Sequence, residues 1–260
     1  MRVTICKDIR DMAKKVAGEV AETIRNNPNI VLGLPTGSTP EAMYKELVLL
    51  HQDQGLDFSR VITFNLDEYY GLATSHPQSY HAYMDRHLFN HVNINRKNIY
   101  IPDGMTKDIG DHCRLYEANI KRHGGIDLML LGIGRDGHIA FNEPASSLTS
   151  RTRIKTLAPE TIEDNARFFK SKDEVPRYAL TMGIGTIREA KKIILMANGK
   201  NKAEAVGLTV EGPVTHMVAA SALQMHDRVV IYTDEEAAAK LTRIPYYQHE
   251  EKSWLTTVEY

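Results

Sequence analysis

The glycine-rich segment after residue 131 carries the densest set of groups able to move protons. Asp136, His138 and Glu143 lie within eight residues of one another, in a turn that follows an apolar run. A histidine between two carboxylates can be held in one tautomer with its charged form stabilised, as a proton-shuttling group requires. A lone histidine is more often structural, but the two neighbouring acids favour an acid–base function here.

The same segment contains Gly132, Gly134 and Gly137, which match the GxGxxG spacing of dinucleotide-binding proteins. In those proteins the glycines open directly into a long helix, because the helix start binds the pyrophosphate. Pro144 arrives seven residues after Gly137 and leaves no room for such a helix. We therefore predict that the segment binds neither a nicotinamide nor a flavin.

A second candidate is the acidic pair Asp67 and Glu68, which directly follows the apolar run at 61–65. A partly buried carboxylate beside aromatic residues can serve as a general base, because burial makes it hold a proton more tightly. A solvated acidic turn explains the pair equally well in isolation. The position at the end of a predicted strand favours the functional interpretation.

An anion site is predicted where residues 30–34 run into Thr36, Gly37, Ser38 and Thr39. Free backbone N–H groups at a helix start bind phosphate, and a glycine allows close approach. The segment is not a Walker loop, because no lysine follows Gly37. An ordinary turn capped by Thr39 explains the segment about as well.

Two cations could complete that site, Arg167 and Lys202. Lys202 lies in the first turn of a predicted helix, where a cation opposes the helix dipole unless it serves a ligand. Most such residues are simply solvated, so neither one alone indicates a site.

Metal and disulfide sites receive little support. His87 and His91 have the spacing of an HExxH zinc helix, but Leu88 stands where the glutamate is needed and no third ligand is evident. The two cysteines, Cys6 and Cys113, cannot form a disulfide framework or a thiolate cage. We predict no metal site.

The elements that must position these groups alternate along the chain. Strands are predicted at 3–6, 30–34, 61–65, 98–101, 127–133, 192–197 and 229–233, and amphipathic helices at 8–26, 39–52, 79–91, 108–123, 201–208 and 234–242. This rhythm predicts an α/β fold, with a doubly wound, mostly parallel sheet and helices on both faces. In such sheets ligands bind beyond the carboxyl ends of the strands, where the candidate residues lie. No linker or repeat is evident, so one domain, 1–260, is expected.

The composition and the lengths of the apolar runs argue against nucleic-acid-binding and membrane-spanning proteins. Lys and Arg total 32 against 33 Asp and Glu, a formal net charge of -1, which argues against a nucleic-acid partner. The longest apolar runs, 30–34 and 128–133, are far shorter than the ~20 residues that span a membrane. No secretion signal is predicted at the amino terminus. We expect a soluble, cytoplasmic protein.

Four segments together closely resemble the glucosamine-6-phosphate deaminase family: residues 32–40 (LGLPTGSTP), 64–69 (FNLDEY), 134–144 (GRDGHIAFNEP) and 150–156 (SRTRIKT). The resemblance extends from residue 2 to about 247 and is most specific in 136–144. It implies an α/β fold and the conversion of glucosamine 6-phosphate to fructose 6-phosphate and ammonia, in amino-sugar catabolism. It also implies that no metal or organic cofactor is needed.

The resemblance implies a role for each candidate. Asp67 would move the C2 proton to C1, and His138, supported by Asp136 and Glu143, would open the sugar ring. The substrate phosphate would lie against Thr36, Gly37, Ser38 and Thr39, neutralised by Arg167 and Lys202.

Two alternatives stay open. One is a hydrolase of the 6-phosphogluconolactonase type, which has a similar Asp-Gly-His turn that continues differently; Glu143 favours the deaminase. The other is a sugar-phosphate sensor without turnover. Such regulators usually carry a DNA-binding unit, for which we expect no room before the first strand.

Regulation is a further implication, since some family members are hexamers activated by N-acetylglucosamine 6-phosphate between subunits. Residues that match that effector site are Ser146, Ser147, Arg153, Lys155, Thr156 and Tyr246. A basic surface strand is the simpler explanation, and Pro245 is expected to interrupt the segment before Tyr246.

Overall fold

The apolar runs of the sequence form the strands of a parallel sheet. The computed structural model describes the backbone of residues 1–257 and the side chains of residues 1–253. Its strands are β1 (Arg2–Cys6), β2 (Val31–Leu34), β3 (Ile62–Asn65), β4 (Asp67–Tyr69), β5 (Ile99–Tyr100), β6 (Leu128–Gly132), β7 (Arg153–Thr156), β8 (Tyr178–Thr181), β9 (Lys192–Ala197) and β10 (Val229–Asp234). Within the described backbone, seven of them form one sheet in the order β1-β10-β9-β6-β2-β3-β5, with every pair parallel. All seven are strands that the sequence predicts.

Both faces of this sheet are buried, because adjacent residues of a strand point to opposite sides. Partners in register on β6, β9 and β10 form one apolar row on each face: Leu130, Ile194 and Val230 on one, and Leu131, Leu195 and Ile231 on the other. Burying such a side chain stabilises the fold by roughly 1.5–3 kcal/mol. The predicted doubly wound α/β class is therefore confirmed.

The helices cover these two faces. They are α1 (Ile9–Asn26), α2 (Ser38–Gln54), α3 (Tyr80–Met84), α4 (Ile109–Arg122), α5 (Pro159–Ala166), α6 (Ile184–Arg188), α7 (Ala203–Val210) and α8 (Ile244–Thr257), and α3 continues as a π-helix over Asp85–Phe89. Along the part of the chain that the structure describes, no helix is long and apolar enough to cross a membrane.

One predicted helix is wrong. Residues 235–240 form turns after β10, which ends at Asp234. Its carboxylate accepts hydrogen bonds from the backbone N–H groups of Ala237 at 2.8 Å and of Gly199 at 3.0 Å, which ties two neighbouring loops together. Pro245 does not interrupt its segment either. It lies in the first turn of α8, where a missing N–H costs no helical hydrogen bond.

A second sheet was not predicted. Within residues 1–257, β4, β8 and β7 form an antiparallel sheet in that order. β4 begins directly beyond Leu66, the residue after β3, so this sheet lies at the carboxyl end of the large sheet. The one-domain prediction stays a prediction, and positions 258–260 lie outside the described residues.

Candidate active site

The carboxyl ends of the parallel strands open into a cavity of about 520 Å³. Loops after β2, β3, β6 and β9 line it, together with α5 and the residues that follow α5. This is the place that the fold class predicts for a ligand. Sequence-predicted site residues that line the cavity are Thr36, Gly37, Ser38, Thr39, Asp67, His138, Arg167 and Lys202.

Asp67 is the first residue of β4 and is only 6% exposed. Burial raises its pKa, and the charge of the adjacent Glu68 raises it further, to about 8. A carboxyl group with such a pKa exchanges its proton near neutral pH, as a general base must. The predicted role of Asp67 thus has a physical basis in its surroundings.

The loop that carries His138 is tightly turned. A Cβ atom at Gly134 would lie 2.3 Å from the His138 ring, so the ring packs directly on a glycine backbone. Two alanines of the loop, Ala140 and Ala145, have φ values of 49° and 68°, a left-handed conformation that costs energy for residues other than glycine. The glycines of the segment therefore allow the loop to hold the histidine ring close to its own backbone.

Two acids lie beside the His138 ring, and neither of them is among the residues that line the cavity. Its Nδ1 atom lies 2.7 Å from Oδ1 of Asp136 and 3.5 Å from Oε2 of Glu143. Burial would raise the pKa of Asp136, but the interactions with the His138 side chain and backbone N–H outweigh it and lower the pKa to about 2. Asp136 therefore remains a carboxylate, which holds Nδ1 and leaves Nε2 as the ring nitrogen for a ligand.

These three residues are also the candidates for holding a cation. One ligand atom from each of Asp136, His138 and Glu143 lies within 4.8 Å of the others. Two ligand atoms on one zinc ion lie roughly 3 Å or more apart, given metal–ligand distances of about 2.0–2.2 Å. The 2.7 Å contact between Asp136 and His138 would have to open to admit a metal. As it stands, the arrangement is that of an acid–histidine–acid triad.

The predicted anion site lies at the start of α2. The helix begins at Ser38 with Gly37 as N-cap, at φ 98°, and no side chain of the described residues caps its first N–H groups. Thr39 is therefore not the cap; its hydroxyl donates to Oδ1 of Asn198 at 3.0 Å. The hydroxyl of Tyr83 donates to Gly37 O at 2.6 Å and fixes the loop. The free N–H groups of a 17-residue helix are left to a ligand.

Three cations of the described chain line the same cavity, of which the sequence reasoning missed Arg135. Arg135 pairs with Asp164 of α5 at 2.6 Å, and the guanidinium of Arg167 stacks 4.7 Å from the Phe168 ring. Burial lowers the pKa of Lys202; Asp164 opposes this shift and Arg135 supports it. A bound dianion would stabilise the positive charges of all three side chains. The position of Arg135 inside the glycine motif is the signal that could have found it.

Two aromatic residues of the lining were also missed. Tyr80 and Phe141 stack with their ring centroids 6.1 Å apart and their planes 13° from parallel, and both line the cavity. They come from segments far apart in sequence, α3 and the loop after His138, and nothing in their local patterns distinguishes them from core residues.

The predicted effector residues do not line the cavity. Arg153, Lys155 and Thr156 lie on β7, and Tyr246 is 58% exposed on α8. Ser146 and Ser147 follow the His138 loop; Ser146 is buried, and its hydroxyl has no hydrogen-bond partner within the described chain.

Comparisons with known proteins agree with this geometry. The sequence matches the family of glucosamine-6-phosphate isomerases/6-phosphogluconolactonase over residues 7–232. A glucosamine-6-phosphate deaminase of Thermoanaerobacter sp. (strain X514) is 52% identical over 239 residues, which is 92% of this chain and 94% of that protein.

Solved structures separate near from distant relatives. A monomeric glucosamine-6-phosphate deaminase superimposes with a TM-score of 0.91 at 45% identity, covering 92% of this chain and 100% of that one. The 6-phosphogluconolactonase from Trypanosoma cruzi has a TM-score of 0.73 at 20% identity, covering 93% and 97%. The second likeness shows a shared fold.

Proposed function

The chain belongs to the family of glucosamine-6-phosphate isomerases and 6-phosphogluconolactonases, and we propose that it converts glucosamine 6-phosphate to fructose 6-phosphate and ammonia. One observation carries the proposal: a buried carboxyl, Asp67, and an acid-supported histidine, His138, face a single cavity that also contains three cations. The proposed chemistry uses protein side chains alone, without a metal or organic cofactor.

Phosphate binding orients the sugar. The free N–H groups at the start of α2 and the charges of Arg167, Lys202 and Arg135 would hold the phosphate oxygens. Fixing one end of the substrate converts later steps into intramolecular ones, which lowers their entropic cost. Because such a doubly charged group does not cross a bilayer unaided, we place the reaction in the cytoplasm.

Ring opening is assigned to His138. Its Nε2 takes the proton of the C1 hydroxyl and delivers a proton to O5 as the C1–O5 bond breaks, which leaves an aldehyde at C1. The imidazole ring of His138 is cationic between the two proton transfers, and the carboxylate of Asp136 at Nδ1 stabilises that form. Glu143, on the same nitrogen, supplies a second acceptor.

Asp67 then moves a proton between neighbouring carbons. Its carboxylate removes the C2 proton while the aldehyde oxygen takes up a proton from the solvent, which gives an enolamine; the solvent regains a proton when ammonia is lost. Asp67 returns its proton to C1, and C2 becomes an iminium carbon. Water adds to C2, and loss of ammonia leaves the ketone of fructose 6-phosphate. The sum is one water consumed and one ammonia released.

The lactonase alternative needs less than this site provides. Hydrolysis of a lactone requires activated water but no transfer of a carbon-bound proton, so a buried carboxyl such as Asp67 would have no task in it. The lactonase structures resemble this chain at the level of the fold. A sensor without turnover would equally leave the raised pKa of Asp67 unused.

A direct assay separates the three functions. The protein is incubated with glucosamine 6-phosphate and, separately, with 6-phosphogluconolactone, while ammonia and acid release are measured. We expect ammonia and fructose 6-phosphate in equal amounts from the first and no acceleration of acid release from the second. Acid release alone would establish the lactonase, and binding of both sugars without product would establish a sensor.

The proposal extends to an activator, N-acetylglucosamine 6-phosphate, bound between the subunits of a hexamer. The guanidinium of Arg153 donates to Oδ1 of Asn142 at 2.9 Å, and the amide of Asn142 donates to the backbone oxygens of Ile139 and Met182. An anion that binds the guanidinium of Arg153 would therefore affect, through Asn142, the loop that carries His138. The remaining contacts would come from Ser146, Ser147, Lys155, Thr156 and Tyr246.

Steady-state kinetics and sedimentation test this regulation. We expect sigmoidal substrate curves that become hyperbolic with the activator, at a lower half-saturating concentration, and a hexameric mass. The monomeric relative shows that the fold also occurs as a single subunit. Hyperbolic curves that the activator does not change, from a monomer, would contradict the proposal.

A further inference from the structure

The carboxylate beside the proposed base is buried more deeply than the base itself. Glu68 is 1% exposed, against 6% for Asp67, although a buried charge costs several kcal/mol unless it is well paired. Adjacent residues of a strand point to opposite faces, so Glu68 points away from Asp67. The proposed mechanism gives Glu68 no task, and its burial requires an explanation.

The contacts of Glu68 join two elements. Oε1 accepts a hydrogen bond from the backbone N–H of Tyr69 at 2.8 Å, within β4. Both oxygens accept from the N–H of Tyr80, at 2.9 and 3.0 Å, and Oε2 accepts from the N–H of His81 at 3.3 Å. The His81 side chain adds a contact of 3.0 Å between Nδ1 and Oε2. The acid thus connects β4, which carries Asp67, to the first turn of α3.

That first turn contributes to the cavity. The Tyr80 ring lines the cavity beside Asp67 and stacks on Phe141 of the His138 loop. We propose that Glu68 is a positioning residue of this active site, whose buried carboxylate fixes the strand end with Asp67 against the helix start with Tyr80. The proposal rests on the deaminase function and gives that reaction a residue that does not touch substrate.

Helix capping alone does not require a charged group here. The Ser79 hydroxyl already accepts the N–H of Ala82 at 3.1 Å, and a neutral oxygen would suffice for the remaining N–H groups. What a carboxylate adds is its charge. Burial is the largest cause of the raised pKa of Asp67, and the charge of Glu68 is the second.

Asp67 shares the cavity with His138 and the three cations, and it also acts on four tyrosine phenols. Tyr44 on α2, Tyr80 on α3 and Tyr116 on α4 all have pKa values raised by burial and, to a lesser degree, by the charge of Asp67, as does Tyr69 on β4. They are therefore neutral when Asp67 titrates. Among the described residues Glu68 is the charge that acts on Asp67, and it makes Asp67 a stronger base.

Two substitutions separate the effect of the Glu68 charge from the effect of its side-chain length. Glu68→Gln keeps the side-chain length and loses the charge. The acid limb of the pH profile of kcat/KM is therefore expected to move down by about one pH unit, and kcat is expected to fall by roughly 3- to 10-fold. Glu68→Asp keeps the charge but is too short to reach α3. We expect it to leave the acid limb in place and to raise KM and lower kcat, because Tyr80 is no longer held.

Glu117→Gln is the matched control. The carboxylate of Glu117, on α4, accepts the N–H of Thr152 at 2.8 Å and the hydroxyl of Thr186 at 2.6 Å, so it is also a hydrogen-bonded acid that joins elements. Its substitution should lower the melting temperature and leave the acid limb unmoved. An unchanged acid limb and kcat in Glu68→Gln would overturn the proposal; if that variant does not fold, normal KM and kcat in Glu68→Asp would do so.

A readout without turnover keeps this test apart from the proposed function. The infrared carbonyl band of protonated Asp67, assigned as the band lost in Asp67→Asn, reports its titration directly. In Glu68→Gln this band should disappear at lower pH than in the unsubstituted protein. If the protein released no ammonia, the deaminase function would fail, and the band would still decide whether Glu68 controls Asp67.

Discussion

Replacing Asp67 by asparagine is expected to lower kcat for ammonia release by at least about 10²- to 10⁴-fold, the typical contribution of one positioned proton transfer. Asparagine has nearly the same shape, but its amide cannot accept the C2 proton. The predicted phosphate contacts lie on α2, Arg167 and Lys202, so the variant should still bind the phosphosugar. The loss should therefore appear in kcat with little change in the dissociation constant.

Isotope exchange identifies the step that is lost. In deuterated water the unsubstituted protein should exchange the C2 hydrogen of glucosamine 6-phosphate, as followed by proton NMR, and Asp67→Asn should not. Calorimetry of phosphosugar binding supplies the control for an intact site. Exchange at the normal rate in the variant would show that another group is the base.

The same substitution should stabilise the fold in a pH-dependent way. The pKa of Asp67 in the folded protein is about 8, well above the ~3.9 of an unfolded aspartate. Between these pH values the unfolded chain has lost a proton that the folded chain keeps, so stability falls with rising pH, by up to about 1.4 kcal/mol per unit. Asp67→Asn removes this cost, and its advantage in melting temperature should be larger at pH 8 than at pH 5.

Replacing His138 by glutamine is the second large effect that we expect. Glutamine can form hydrogen bonds from a similar position but cannot carry a proton from O1 to O5. The cyclic substrate should therefore lose roughly 10²- to 10⁴-fold in kcat/KM. An open-chain aldehyde analogue that cannot close to the pyranose needs no ring opening, and its kcat/KM should fall far less.

The ratio of the two losses is the measurement that matters. A substitution that only damaged the fold would lower both rates alike. Substitution of a residue that acts only in the later steps would do the same. His249→Gln, on an exposed position of α8, makes the same chemical change away from the cavity and should leave both rates unchanged. Equal losses on both substrates in His138→Gln would show that His138 acts outside ring opening.

The fold illustrates what local pattern can determine. The strands at 192–197 and 229–233 are continuous apolar runs, and such runs are stable only when both faces are covered, which is why they predict a parallel sheet. β7 has the sequence RIKT, is only partly buried and pairs through β8, so its strand conformation depends on a partner that the local pattern does not reveal. The helix expected at 234–242 forms turns instead, and the Asp234 carboxylate binds the N–H groups of both Ala237 and the distant Gly199, a contact that the local pattern does not reveal.

The sequence by itself determined that Asp136, His138 and Glu143 come together, because they lie in one turn whose short-range geometry places them side by side. Only the tertiary structure decided that Asp67 faces the same cavity, that Arg135 joins the cations and that Glu68 ties β4 to α3. Such contacts join segments far apart in the chain. They depend on strand order and packing, and the burial that raises the pKa of Asp67 to about 8 exists only after the sheet has formed.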